Sequence, residues 1–351
     1  MKKSSAILFL FLAFSLLALP SPADRKIVDP GYVVDEISVG RPVSYKGLTI
    51  FPIVSKTLRG QGYTSLDEAS RLDQIVVKEK GSGDVNRVVV ENESSSPVLL
   101  LGGEMIVGAK QDRMVSHDVL LPSKSGPVVV SVYCIEHGRW QVTSSEFKVA
   151  PGGAQNVVRK SAQVEGSQQG IWDSVSEFGR AAAPRMEGKT SSAAGYYGDK
   201  EVASKRDDMK AKLLEILPEH KEQVGFAAAL GDRILGVDIF GSPVMFEKYR
   251  TKLLDSYIYD AIQDGHRGES DLVGSDIKDF VEVSMTGEWA SRSTEGIGSF
   301  MELQKRRTSA AALTNHGELI HATLFPKSRE RVYEDREQRQ QFEEHPIRRM
   351  H

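Results

Sequence analysis

Two short stretches concentrate the side chains that can do chemistry. "GGEMIVGAKQDR" (102–113) carries Glu104 and then Lys110, Gln111, Asp112 and Arg113, and "CIEHGRWQ" (134–141) carries Glu136, His137, Arg139 and Trp140. A guanidinium fork grips a carboxylate or phosphate through paired N–H donors, and next to an indole it can stack a planar ligand. A carboxylate beside such a clamp can move a proton. Glu104, Lys110, Gln111, Arg113, Glu136, Arg139 and Trp140 are therefore the ligand-binding candidates. In an enzymatic version Glu136 or Glu104 is the acid/base, and Arg113 and Arg139 hold anionic groups. The same residue types serve equally well as structural ion pairs under a packed indole, so no catalytic residue is assigned.

Other motifs exclude more than they suggest. The glycines of 102–108 lack the Gly-Lys-Ser/Thr ending of a phosphate loop and the three-glycine spacing that opens a dinucleotide-binding helix. Gly103-Glu104, Gly231-Asp232 and Gly317-Glu318 each follow an apolar run and are read as hairpin turns in which glycine supplies a positive φ. In "NHGELIH", His316 and Glu318 share strand parity but His321 does not, and the metalloprotease spacing is absent, so no metal is expected. No cofactor is expected either. No Gly-x-Ser-x-Gly elbow marks a serine nucleophile.

These candidates must be positioned by strands. From Val33 to about Val149 short β-branched runs alternate with Gly, Pro and Ser, which favours an antiparallel, β-rich half. One short helix is expected in "TSLDEASRL", where Ser65 and Glu68 have capping-box spacing. From residue 150 the period lengthens: "QNVVRKSAQV", "IWDSVSEFGRAA", 201–217 and 244–263 read as helices. "PRMEGKTSSAAGYYGDK" reads as a mobile loop. The last of those helices should bury Leu254, Tyr257, Ile258 and Ala261. "FAAALGDRILGVDIFG" and "SAAALTNHGELIHATLFP" look like two equivalent hairpins. The expected fold is α+β, an antiparallel β-rich core with amphipathic helices packed on one side, folding as a single unit over 24–325. The charged stretch 326–351 is too poor in apolar residues to offset its ordering entropy.

Composition and ends bound the rest. Lys2 and Lys3 precede an apolar run from Ala6 to Leu19 and a small-residue stretch to Ala23, the pattern of a cleaved signal peptide. Its apolar core is shorter than the roughly 20 residues needed to span a bilayer, so stable membrane insertion of the mature chain is not expected. The expected location is extracytoplasmic, periplasmic or secreted. Loss of the two lysines takes the formal charge from −3 to −5, against a nucleic-acid partner. Cys134 is the sole cysteine, so no intrachain disulfide can form, and it reads as a small buried hydrophobe.

"GGEMIVGAKQDR", "CIEHGRW", "IWDSV" and "GVDIFGSPVMFEKYRTKLLDSYIYDAI" together resemble the ARG and rhodanese-phosphatase-superfamily-associated protein family, first type, over roughly Ser38 to Phe325. ARG there denotes ADP-ribosylglycohydrolase. The family pattern has Gln-Asn-Arg where this sequence has Gln111-Asp112-Arg113, so Gln111 and Arg113 are matched. The resemblance implies association with enzymes of ADP-ribose or phosphate chemistry. Together with the absence of a full catalytic signature, these features favour a non-catalytic binding or interaction domain whose partner is an anionic small molecule or another protein. The alternatives are a hydrolase or transferase acting on a phosphorylated or ADP-ribose-like molecule, and a purely structural envelope protein.

Overall fold

The computed structural model describes residues 29–218, 220–265 and 267–327. The leader expected over 1–23, and all but the first two residues of the charged stretch 326–351, lie outside the described residues. The chain opens with α1 (Val33–Glu36), β1 (Ser38–Val39), β2 (Val43–Tyr45), β3 (Leu48–Val54), β4 (Thr64–Ser65) and α2 (Leu66–Arg71). The capping box forms as read: Ser65 Oγ accepts the Glu68 N–H at 3.2 Å, and the Glu68 carboxylate accepts the Ser65 N–H at 2.9 Å. Then come β5 (Ile75–Asp84), β6 (Arg87–Asn92), β7 (Val98–Leu100), β8 (Glu104–Gly108), β9 (Arg113–Val115), β10 (Val119–Leu121), β11 (Gly126–Cys134) and β12 (Phe147–Gly153).

A helical stretch follows: α3 (Asn156–Lys160), which runs into a π-turn over Ser161–Glu165, then α4 (Gln168–Ala182), α5 (Ala193–Tyr197) and α6 (Lys200–Ile216). The rest is β13 (Gln223–Leu230), β14 (Arg233–Phe240), α7 (Pro243–Asp264), α8 (Gly274–Met285), β15 (Ala290–Arg292), β16 (Ser299–Gln304), β17 (Thr308–Asn315) and β18 (Glu318–Pro326).

The strands form three sheets. An antiparallel nine-stranded sheet runs β1-β3-β13-β14-β18-β17-β16-β15, with β2 also on β3; a six-stranded sheet runs β12-β8-β9-β11-β6-β5; a small one runs β10-β7-β4. The two Ala-Ala-Ala-Leu hairpins are neighbours in the large sheet, joined through β14 and β18, and each carries one register shift. Strand alternation explains the layering. Ala227 and Ala229 face one core with α1 and α8, while Phe226, Ala228 and Leu230 face another with α6 and α7. In the small sheet, Val98 and Leu100 turn to the core of the six-stranded sheet, and Leu99 and Leu101 to the core of the large one. The small sheet is thus a middle layer, apolar on both faces.

The α+β class holds, with four differences from the expected arrangement. Helices cover both faces of the large sheet rather than one, because α8, to which no element was assigned, packs Ile277, Phe280, Val281 and Met285 on the second face. β15 and β16 were also not foreseen. The "PRMEGKTSSAAGYYGDK" segment contains α5, capped by Ser192, whose hydroxyl also donates to Asp112 at 2.6 Å. Finally, α7 is buried on both of its stripes, because its polar stripe is satisfied internally: Tyr249 donates to the Leu99 carbonyl, Ser256 to the Ala154 carbonyl, and Asp260 accepts from Asn156 and the Val157 N–H.

Gly231 and Gly317 sit in hairpin turns as read, but Gly103 does not: β7 and β8 belong to different sheets, so Gly102-Gly103 is a crossing between layers. Gly103 has φ +100°, and a Cβ there would lie 2.6 Å from Arg159 Cγ. Only glycine fits that backbone against that side chain. No helix among the described residues is long and apolar enough to cross a membrane.

Candidate functional site

The strand-end residues meet, but mostly in one another's hydrogen bonds. Arg139 grips Glu136 with two bonds of 2.7 and 2.6 Å and reaches Asp112 at 3.2 Å. Glu136 also accepts the Asp112 N–H at 3.0 Å, and its carbonyl accepts the Gln111 amide at 3.0 Å. The Glu136 contact dominates in holding the Arg139 guanidinium firmly protonated. Arg113 is fully buried; Nη1 reaches Gln111 Oε1 at 3.3 Å, whereas Nε and Nη2 find no acceptor among the described residues. Trp140, 47 % exposed, covers this knot, with the Lys110 ammonium 4.9 Å and the Arg113 guanidinium 6.0 Å from its ring centre. An open depression of about 520 Å³ lies beside Arg139 and Trp140. Cys134 is buried beneath, its thiol donating to the Glu136 carbonyl, and burial pushes its pKa up.

Glu104 is not part of this group. Its carboxylate is buried between the Lys252 ammonium of α7 at 2.5 Å and the Leu101 N–H at 2.7 Å, and Lys252 also reaches Asp67 at 2.8 Å. Burial raises the Glu104 pKa despite Lys252. This carboxylate anchors the layer crossing to α7.

The larger concavity is a cleft of about 1080 Å³ between the six-stranded and nine-stranded sheets. Behind its floor lies a charge network that spans four elements. Arg159, 5 % exposed, forks onto Asp238 with bonds of 2.6 and 3.2 Å. Asp238, with no exposure, also accepts the Tyr257 hydroxyl at 2.6 Å and lies 3.2 Å from His321 Nε2. The other His321 nitrogen lies 2.6 Å from Asp118, whose second oxygen accepts the Gly102 N–H at 2.8 Å. Burial alone would lower the His321 pKa, but Asp118 and Asp238 outweigh it and lift the pKa to about 9. Burial likewise works against an ionised Asp238, yet Arg159 and His321 hold its pKa well below the usual range. Two cations therefore face two carboxylates, and the network is neutral overall.

On the cleft wall, Ser116 Oγ is 2.7 Å from His117 Nδ1, and His117 Nε2 is 2.8 Å from Glu295 Oε2. Ser116 Oγ also lies 3.0 Å from the Ser131 carbonyl, and Glu295 Oε1 accepts the Ser131 N–H at 3.3 Å. Burial works against the Glu295 carboxylate, but His117 and Ser131 bring its pKa down to about 2. Glu295 is placed by the loop before β16, which docks on β10 through the Ile297 N–H to the Leu120 carbonyl at 2.8 Å. A side chain at Gly296 would strike that same carbonyl, at 2.1 Å.

Of these residues the sequence motifs bring up only His321, weighed as a metal ligand with His316 and Glu318, whereas the structure pairs it with Asp118 and Asp238. The available signal was an ionisable residue inside an apolar strand: Asp238 in "GVDIF" and His321 in "LIHATLF" are each flanked by residues that face the core. Such positions are populated only when a partner satisfies the charge.

No curated protein and no solved structure matches the chain. The model of the ARG and Rhodanese-Phosphatase-superfamily-associated Protein domain matches residues 36–325, from the last residue of α1 to the penultimate residue of β18. The chain belongs to that family.

Proposed function

We propose that the protein is an extracytoplasmic binding domain that takes a polar small ligand, neutral overall, in the cleft between its two large sheets. The observation that carries this reading is the charge balance of the cleft. Each arginine lining it is already matched by a carboxylate, Arg87 by Asp84 at 2.7 Å, Arg159 by Asp238 at 2.6 Å and Arg292 by Glu302 at 2.5 Å, and the further lining cation Lys327 is balanced in sign by the lining carboxylate Glu165. A phosphorylated ligand is held by uncommitted positive charge and aimed N–H donors. Paired walls instead offer donors and acceptors of both signs, which suits an uncharged or zwitterionic molecule. The cleft volume of about 1080 Å³ lies just above the roughly 300–1,000 Å³ range of small-molecule sites. The strand-end knot then acts as a brace joining β8, β9, β11 and the start of α5, and the leader-type N-terminal sequence supplies the extracytoplasmic part of the reading.

A thermal-shift screen tests this, with zwitterionic dipeptides and amino sugars in one arm and sugar phosphates and ADP-ribose in the other. A ligand at a hundred times its dissociation constant adds about 2.7 kcal/mol of stability. The shift is expected in the first arm. A shift confined to phosphorylated compounds would overturn the reading.

A further inference from the structure

We infer that Ser116, His117 and Glu295 form a nucleophile, base and carboxylate relay that gives the cleft hydrolytic activity toward esters or amides of overall neutral, polar acyl compounds. This rests on the cleft being the ligand site. Three features of geometry carry it. The contacts run in series, Ser116 Oγ to His117 Nδ1 at 2.7 Å and His117 Nε2 to Glu295 at 2.8 Å. All three residues line the 1080 Å³ cleft. Consecutive side chains of a regular strand point to opposite faces. Ser116 and His117 escape that alternation because they lie where the chain leaves β9 in the six-stranded sheet for β10 in the small one.

The roles follow from proton accounting. With Glu295 accepting the Nε2 proton, the Nδ1 lone pair of His117 faces Ser116 Oγ, whose single proton swings to it from the Ser131 carbonyl. In the first step Ser116 Oγ bonds to the substrate carbonyl carbon while its proton passes to Nδ1. The bond to the leaving alkoxide or amine then breaks, and the leaving group takes that proton. In the second step water attacks the acyl-serine, giving a proton to Nδ1; the acid product departs and Ser116 Oγ recovers the proton. No oxidant or further reactant is required. Ser116 and His117 touch the reacting atoms, whereas Glu295 is a positioning residue that fixes the tautomer and stabilises the imidazolium.

The test is a fluorophosphonate probe on the purified full chain, read by mass spectrometry of the labelled peptides. Attack by Ser116 forms an Oγ–P bond and expels fluoride, so the expected result is an adduct on Ser116, abolished in Ser116→Ala. Glu295→Gln should slow labelling by up to about 10⁴-fold and flatten its pH profile, and Glu295→Asp should restore part of the rate. An unlabelled Ser116 in the wild-type chain overturns the relay whatever the variants do. If such a chain still binds a neutral ligand in the thermal-shift screen, the relay alone has failed. Labelling of Ser116 without any ligand-induced shift keeps the nucleophile and overturns the neutral-ligand reading.

Discussion

Asp238→Asn is expected to destabilise the protein by about 3–5 kcal/mol, the range for removing one partner of a buried ion pair. Asp238 has no solvent exposure and is shared by Arg159, His321 and Tyr257. Asparagine keeps the shape but removes the charge that offsets two buried cations, and its NH₂ group must face a donor. The loss is dominated by stranded positive charge rather than by the hydrogen bonds themselves. Arg159→Met in the Asp238→Asn background should therefore cost less than it does alone, giving a coupling energy in a double-mutant cycle. Urea unfolding midpoints measure both effects. A loss below about 1 kcal/mol, within the range of ordinary surface substitutions, would mean that water reaches this network.

Stability should also fall as pH rises from about 6.5 to 9. The His321 pKa is about 9 in the folded protein, raised from 6.5 by Asp118 and Asp238 against the effect of burial. A raised folded-state pKa contributes stability that is complete below the unfolded-state value and is lost as pH climbs through the folded-state one. The contribution is on the order of 3 kcal/mol. Asp238 acts in the opposite direction: its depressed pKa stabilises the fold above the usual carboxylate range, and that stability is lost on acidification. Denaturation curves at pH 6, 7, 8 and 9 should show the alkaline decline in the wild type and a flatter dependence in His321→Asn. Equal slopes would remove His321 from the account.

The sequence was most legible where the determinants are local. The Ser65 and Glu68 capping box and the two Ala-Ala-Ala-Leu hairpins depend on residues a few positions apart, and they form as read. α8 was legible in principle, since Ile277, Phe280, Val281 and Met285 have helical spacing. β15 and β16 were harder: "ASR" is fully exposed and "SFMELQ" alternates imperfectly. The α7 stripe of Tyr249, Ser256 and Asp260 that looked solvated is buried because its acceptors and donors come from β7 and the α3 region, which sequence spacing cannot reveal.

The same limit governs the site. Arg139 and Glu136 lie three residues apart and could be paired from sequence, but Asp112 and Ser192, which close the knot, come from other segments. Asp118, Arg159, Asp238 and His321 lie far from one another along the chain, and the layer crossing at Gly102-Gly103 and the adjacency of β14 and β18 help bring them together. Clusters that are dense in sequence tend to neutralise themselves, whereas the cleft network was assembled entirely by topology.

The most direct test of where the ligand binds is calorimetric titration of a ligand from the thermal-shift screen into three proteins: wild type, Gln163→Trp and Trp140→Ala. Gln163 lines the inter-sheet cleft and a tryptophan there occupies its volume, whereas Trp140 lies over the strand-end knot. Binding should be lost in Gln163→Trp and retained in Trp140→Ala. Retention in Gln163→Trp with loss in Trp140→Ala would move the site to the strand ends and contradict the account.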